Sequence, residues 1–132
     1  MKYNELTQRI KEEINAFPMF FAFSDEQFKK GLEEFGAKPA DLVKGFAGAL
    51  YRKTDADRLH AMLKRHDEEL SDAMKDDVFL IEAICYELGN HEYSYTYDPT
   101  DTIECLGLDM EDERVQRCFK AAKTTYLKNN AA

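Results

Sequence analysis

The strongest constraint on the fold is a run of apolar residues at helical spacing between positions 59 and 88. From 59 to 74 these residues, together with His66, lie three or four positions apart along one helix face. Asp76 and Asp77 interrupt this pattern, and a second apolar face follows over 78–88. Carboxylates at such a break accept hydrogen bonds from the free N–H groups of a new helix. The sequence therefore predicts two successive helices in this region.

Apolar spacing and capping signals predict further helices before and after these two. Apolar spacing indicates a first helix over about 3–16. Ser24 precedes Gln27 by three positions, as in a capping box, and Gly36 provides a natural helix stop. The last helix is predicted to begin at Asp109.

Three tyrosines at alternate positions predict a short strand after the second central helix. They are Tyr93, Tyr95 and Tyr97. Since an isolated strand is unstable, this one needs a partner, for which Met19–Phe23 and Ala49–Lys53 are the candidates. The expected fold class is mainly α: a compact helical domain of about six helices with a small two-stranded β element.

Length and composition indicate one globular domain over residues 1–132, with a tail that frays from about 129. The chain has 132 residues and 44% hydrophobic content, enough for a core. Its three cysteines, Cys85, Cys105 and Cys118, show no CxxC spacing and lie on or beside apolar faces, so we expect reduced, buried and inert thiols. The sequence has no signal-peptide pattern and no apolar stretch long enough to span a bilayer, so we expect a cytoplasmic protein.

Charge is distributed unevenly along the chain. Residues 76–113 contain twelve acidic residues and no Lys or Arg, whereas the whole chain has 26 acidic and 18 basic residues. Such a region repels nucleic acids and anionic membranes and attracts basic proteins. The alternatives are a solvated face that maintains solubility, or a region that binds cations.

Acidic and tyrosine side chains of this region are the candidate partner-binding residues. The tyrosines would act as anchors, and the carboxylates would pair with arginine. The predicted set is Glu87, Glu92, Tyr93, Tyr95, Tyr97, Asp98, Asp101, Glu104, Asp109, Glu111 and Asp112.

The sequence contains only weak matches to catalytic motifs. Gly89 to Glu92 spell Gly-Asn-His-Glu, a tetrapeptide also found in metallophosphatases, but the Asp-x-His that such sites need is absent. His91 is therefore interpreted as a turn or surface residue. His66 lies on the apolar face of the first central helix, which indicates a hydrogen-bonded core histidine. No catalytic residue, metal or cofactor is predicted.

Three stretches carry a resemblance to a known family. They are FFAFSDEQFKKGLEEFG, DDVFLIEAICYELGNHEY and SYTYDPTDTIECLGL, and the resemblance covers most of the chain, roughly Phe20 to Leu108. They resemble a functionally uncharacterised family of small proteins encoded by phages and mobile elements of gut bacteria. GFAGALYRK matches the family more loosely. The resemblance implies a bacterial host cell, and because the family has no established catalytic residues, it transfers none to this chain.

Charge and resemblance together lead to one main hypothesis and two alternatives. The main hypothesis is a non-enzymatic acidic module, a phage inhibitor that occupies a basic nucleic-acid-binding site on a host defence protein. It requires no direct contact with nucleic acid or membrane. The alternatives are an assembly protein that forms a homodimer, and a small enzyme that uses His66 or His91 with nearby carboxylates.

Overall fold

The computed structural model describes residues 2–130, which form seven α-helices and three short strands. The helices are α1 (Tyr3–Ala16), α2 (Asp25–Phe35), α3 (Ala56–Ala73), α4 (Asp77–Asn90), α5 (Tyr93–Thr96), α6 (Thr100–Cys105) and α7 (Glu113–Asn129). The strands are β1 (Met19–Phe21), β2 (Leu42–Lys44) and β3 (Ala49–Arg52). The predicted mainly α class is confirmed.

Local capping explains where several helices begin and end. The Ser24 side chain accepts a hydrogen bond from the N–H of Gln27, and Gly36 ends α2 in the left-handed conformation with φ of 71°. At the start of α4, one Asp76 carboxylate oxygen accepts from the N–H groups of Val78 and Phe79. These predicted helix boundaries are confirmed.

The last helix begins later than predicted. Asp112, and not Asp109, caps it, because the Asp112 carboxylate accepts a hydrogen bond from the N–H of Arg114 at 2.8 Å. Asp109 instead accepts from the N–H of Glu111 in a separate turn. Of the predicted frayed tail, Asn129 ends α7 and the last two residues lie outside the described part of the chain.

The predicted tyrosine strand is wrong, since Tyr93 to Thr96 form the single helical turn α5. Glu92 and Tyr97 flank this turn in left-handed conformations, with φ of 54° and 53°. Residues four apart share a helix face, and the Tyr93 and Tyr97 rings accordingly meet edge to face at 5.8 Å. Burial of Tyr93 against the α7 rings of Phe119 and Tyr126 thus prevails over the alternating sequence pattern.

The two proposed strand partners pair with each other instead. β3 lies between β1 and β2 in an antiparallel sheet, with Met19 opposite Tyr51 and Leu42 opposite Arg52. The sheet therefore has three strands in place of the expected two.

The chain divides into two units, which we call the first and the second unit. The first unit comprises the described parts of Met1–Arg9 and Glu69–Ala132, and the second comprises Ile10–Glu68. The core of the first unit forms where α4 meets α7. It contains Leu80, Ile84, Leu88, Tyr93, Cys118, Ala122 and Tyr126. Phe17, Tyr51 and Leu59 form a core cluster in the second unit. The single-domain expectation stays a prediction.

The helices of the described residues were compared with the length and apolarity that a membrane span requires. Between positions 2 and 130, every helix is too short or too polar to cross a bilayer.

Candidate functional site

Seven exposed carboxylates lie between residues 92 and 112, a region that we call the acidic segment. It includes α5, α6 and the turns around them, and it contains no Lys or Arg. None of the ion pairs within residues 2–130 involves these carboxylates. The seven are Glu92, Asp98, Asp101, Glu104, Asp109, Glu111 and Asp112.

Three of the seven carboxylates stabilise the local backbone. Asp98 accepts hydrogen bonds from the N–H and the hydroxyl of Thr100, and these bonds lower the pKa of its carboxyl group. Asp109 and Asp112 accept backbone N–H groups in the turns before α7. The other four, Glu92, Asp101, Glu104 and Glu111, make no side-chain hydrogen bond to any described residue and remain available to a partner.

The three tyrosines of the predicted set differ in accessibility. The Tyr95 side chain is 84% exposed and Tyr97 is 66% exposed, so both can contact another molecule. Tyr93 is only 4% exposed and belongs to the core of the first unit. The prediction that Tyr93 lies on a binding surface is therefore wrong.

The first two bases that follow the acidic segment in the sequence are already engaged. Arg114 donates from Nε to Asp77 at 2.7 Å and from Nη2 to the Met74 carbonyl at 2.6 Å. Arg117 donates to the other Asp77 oxygen at 3.1 Å. These two guanidinium groups lower the pKa of the Asp77 carboxyl group. Arg114 and Arg117 therefore pair with an acid outside the acidic segment.

The prediction that Glu87 is a partner-binding residue is also wrong, because Glu87 is 7% exposed and lies inside the first unit. Its Oε1 accepts hydrogen bonds from the Tyr3 hydroxyl at 3.0 Å and the Asn90 amide at 3.3 Å. Its position on the same α4 face as Ala83 and Ile84 places it inward. Burial and the hydrogen bond to Glu87 raise the pKa of the Tyr3 hydroxyl above its usual range.

The other oxygen of Glu87, Oε2, faces two potential metal ligands. It lies 3.3 Å from Nε2 of His91, the C-terminal capping residue of α4, and 3.5 Å from the Sγ of Cys105. Cys105 is exposed, so the expectation of a buried thiol is wrong for it. Burial of its sulfur and the neighbouring carboxylate raise the pKa of the Cys105 thiol.

Sequence reasoning missed the convergence of Glu87, His91 and Cys105. The spacing of four between Glu87 and His91 was a usable signal, because it places both side chains on one helix face. No comparable signal connects them with Cys105, which belongs to α6.

His66 is the core histidine that the apolar pattern predicted. It is 4% exposed, and its Nε2 lies 2.7 Å from the Glu13 carboxylate, which also accepts from Arg65 at 2.6 Å. The two hydrogen bonds lower the pKa of the Glu13 carboxyl group to about 2. Within residues 2–130, only the surroundings of His91 bring three metal-ligand side chains together.

Comparison with known proteins identifies a family whose function is unknown. A model of DUF7659, a family of unknown function, matches residues 2–125, and the chain therefore belongs to that family. A search of curated proteins and a search of solved structures find no match.

Proposed function

We propose that this DUF7659 protein is a non-enzymatic acidic module whose acidic segment binds a basic surface of another protein. The observation that carries the proposal is the exposure of seven carboxylates without a single base among them. Carboxylates that fold a protein usually have a partner within it, and four of these have none among the described residues.

Electrostatics define the kind of partner. Unpaired carboxylates attract arginine, which can bind both oxygens of one carboxylate at once. The same field repels phosphate groups, so DNA, RNA and anionic membranes are poor ligands. The partner is therefore a protein with a basic surface.

Tyr95 provides an anchor beside the charges. Its ring is almost fully exposed on α5, while Tyr93 from the same turn is fixed in the core. Tyrosine is enriched among the residues that contribute most to interface affinity. The buried ring holds the turn in place, so that Tyr95 is presented with little loss of conformational freedom on binding.

In its finer form, the proposal concerns a phage-encoded inhibitor of a bacterial defence protein. The basic surface would then be a nucleic-acid-binding site, which an acidic protein can occupy in place of the phosphate backbone. The resemblance of the chain to small phage proteins supports this by analogy.

Affinity purification at two salt concentrations tests the proposal. The tagged protein is incubated with lysate of its source cell at low salt and at about 0.5 M salt, where the Debye length falls to about 4 Å. The expected result is a basic protein that is retained at low salt and lost at high salt.

Two charge-matched variants make the test specific. One carries Glu92→Lys, Glu104→Lys and Glu111→Lys. The other carries Glu33→Lys, Glu34→Lys and Asp67→Lys, three exposed acids of α2 and α3. Each triple variant changes the net charge from −8 to −2. Only the first should lose the partner. Equal losses from both variants would reject a specific surface, and recovery of the bait alone would favour the homodimer.

A further inference from the structure

We propose that Glu87, His91 and Cys105 together bind one divalent metal ion such as Zn²⁺. Their donor atoms, one from each residue, all lie within 4.8 Å of one another. The site is distinct from the acidic segment's unpaired carboxylates, and it can exist whether or not that segment binds a protein.

The two donor separations from Glu87 Oε2 fit a tetrahedral ion. Zinc bonds of about 2.1 Å to nitrogen and oxygen and about 2.3 Å to sulfur imply donor separations of about 3.4 Å for N···O and about 3.6 Å for S···O. The His91 Nε2 and Glu87 Oε2 are 3.3 Å apart, and the Cys105 Sγ and Glu87 Oε2 are 3.5 Å apart. Both separations from Glu87 Oε2 are thus already close to those of a bound ion, and the third pair of donor atoms lies within 4.8 Å.

A surrounding set of hydrogen bonds fixes the central ligand. Tyr3 and Asn90 both donate to Oε1 of Glu87, which leaves Oε2 directed toward the other two donors. The Thr102 hydroxyl donates to the Glu87 backbone carbonyl at 3.2 Å and so connects α6, which carries Cys105, to α4. Groups that orient metal ligands in this way typically contribute about 10–100-fold to affinity.

The imidazole of His91 has an unused donor atom. Its Nε2 is buried and makes no hydrogen bond, because the 3.3 Å approach of the Glu87 carboxylate lacks hydrogen-bond geometry. A buried polar atom without a partner is costly, and a metal ion would satisfy its lone pair.

The donor types select the metal. A thiolate, an imidazole and a carboxylate suit Zn²⁺, whereas Mg²⁺ and Ca²⁺ prefer oxygen donors alone. Three protein ligands leave a fourth tetrahedral position for water. Exposure of Cys105 provides a path for the ion to enter.

Cobalt titration of the reduced full-length protein tests the site directly. Co²⁺ reports thiolate ligation through a charge-transfer absorption in the near ultraviolet. The expected result is a band that saturates at one equivalent and disappears when Zn²⁺ is added. Cys105→Ser should abolish the band, and His91→Gln should weaken Co²⁺ binding by at least about tenfold.

Two matched variants control for nonspecific thiol and imidazole binding. Cys85 is a half-buried cysteine of α4, and His60 is an exposed histidine of α3. Cys85→Ser and His60→Gln should leave the titration unchanged. Absence of the band in the wild-type protein, or its persistence in Cys105→Ser, would overturn the proposal. Because Cys105 is exposed, its substitution should not unfold the protein, and circular dichroism verifies this.

Discussion

Glu87 and Glu92 lie five residues apart, but they occupy opposite environments. Glu87 is buried, with Tyr3 and Asn90 donating hydrogen bonds to Oε1 and His91 lying 3.3 Å from Oε2. Glu92 is exposed and makes no side-chain hydrogen bond to a described residue. A buried carboxylate is stable only with such partners, and an exposed one can remain free for another molecule. The comparison separates acids that hold the fold together from acids that are available for binding.

Removal of the Tyr3 hydroxyl should produce the largest loss of stability. Tyr3→Phe deprives the buried Glu87 carboxylate of one of its two hydrogen-bond donors at Oε1. We expect the free energy of unfolding to fall by about 1–3 kcal/mol, measured by urea denaturation with a chelator present.

Tyr86→Phe is the matched control for this prediction. Tyr86 is exposed, and its ring packs against Tyr3 at 5.7 Å, a contact that phenylalanine preserves. Its effect should stay within about 0.5 kcal/mol. Equal losses from the two variants would show that the Tyr3 hydroxyl does not stabilise Glu87.

Glu13 should have a smaller effect that depends on pH. Because Arg65 and His66 lower the pKa of Glu13 from 4.5 to about 2, its contribution to stability is present above pH 4.5 and is lost as pH falls toward 2. We expect Glu13→Gln to have a lower Tm than wild type near neutral pH, with the difference closing over that range.

A substitution at an exposed carboxylate elsewhere in the chain is the control for the Glu13 variant. Glu33→Gln changes an exposed α2 carboxylate that makes no side-chain hydrogen bond or ion pair to a described residue, so it should shift Tm little at any pH. A Tm difference between wild type and Glu13→Gln that stays constant from about pH 6 to about pH 2 would show that the charge of Glu13 is not its cause.

The acidic segment should show the smallest effect on stability. The triple variant of Glu92, Glu104 and Glu111 to lysine should change the unfolding free energy by no more than about 0.5 kcal/mol for each substitution. It also relieves repulsion among neighbouring acids. If urea denaturation shows a loss as large as that of Tyr3→Phe, these acids stabilise the fold, and the contrast with Glu87 fails.

The sequence predicts well those features that depend on near neighbours. Ser24 and Asp76 cap helices through N–H groups two or three residues away, so their roles are readable from the sequence. The same holds for Gly36, which ends α2 through its own backbone conformation. The apolar face around His66 likewise predicted its burial.

Features that depend on distant contacts could not be predicted in this way. The tyrosine pattern Tyr93 to Tyr97 fits a strand, but burial of Tyr93 against α7 favours a helical turn. Glu87 is one of the twelve acids of residues 76–113, and only the fold brings the Tyr3 hydroxyl to it from 84 positions away. For the same reason the approach of Cys105 to Glu87 has no local signature.

The most direct test of the central claim uses the captured partner together with a labelled oligonucleotide bound to it. Fluorescence anisotropy then measures displacement of the oligonucleotide by the wild-type protein and by the two triple variants. The account predicts displacement by wild type and by the variant at Glu33, Glu34 and Asp67, and no displacement by the variant at Glu92, Glu104 and Glu111. A partner that binds the wild-type protein and keeps its oligonucleotide would contradict the claim that the acidic segment occupies a nucleic-acid-binding site.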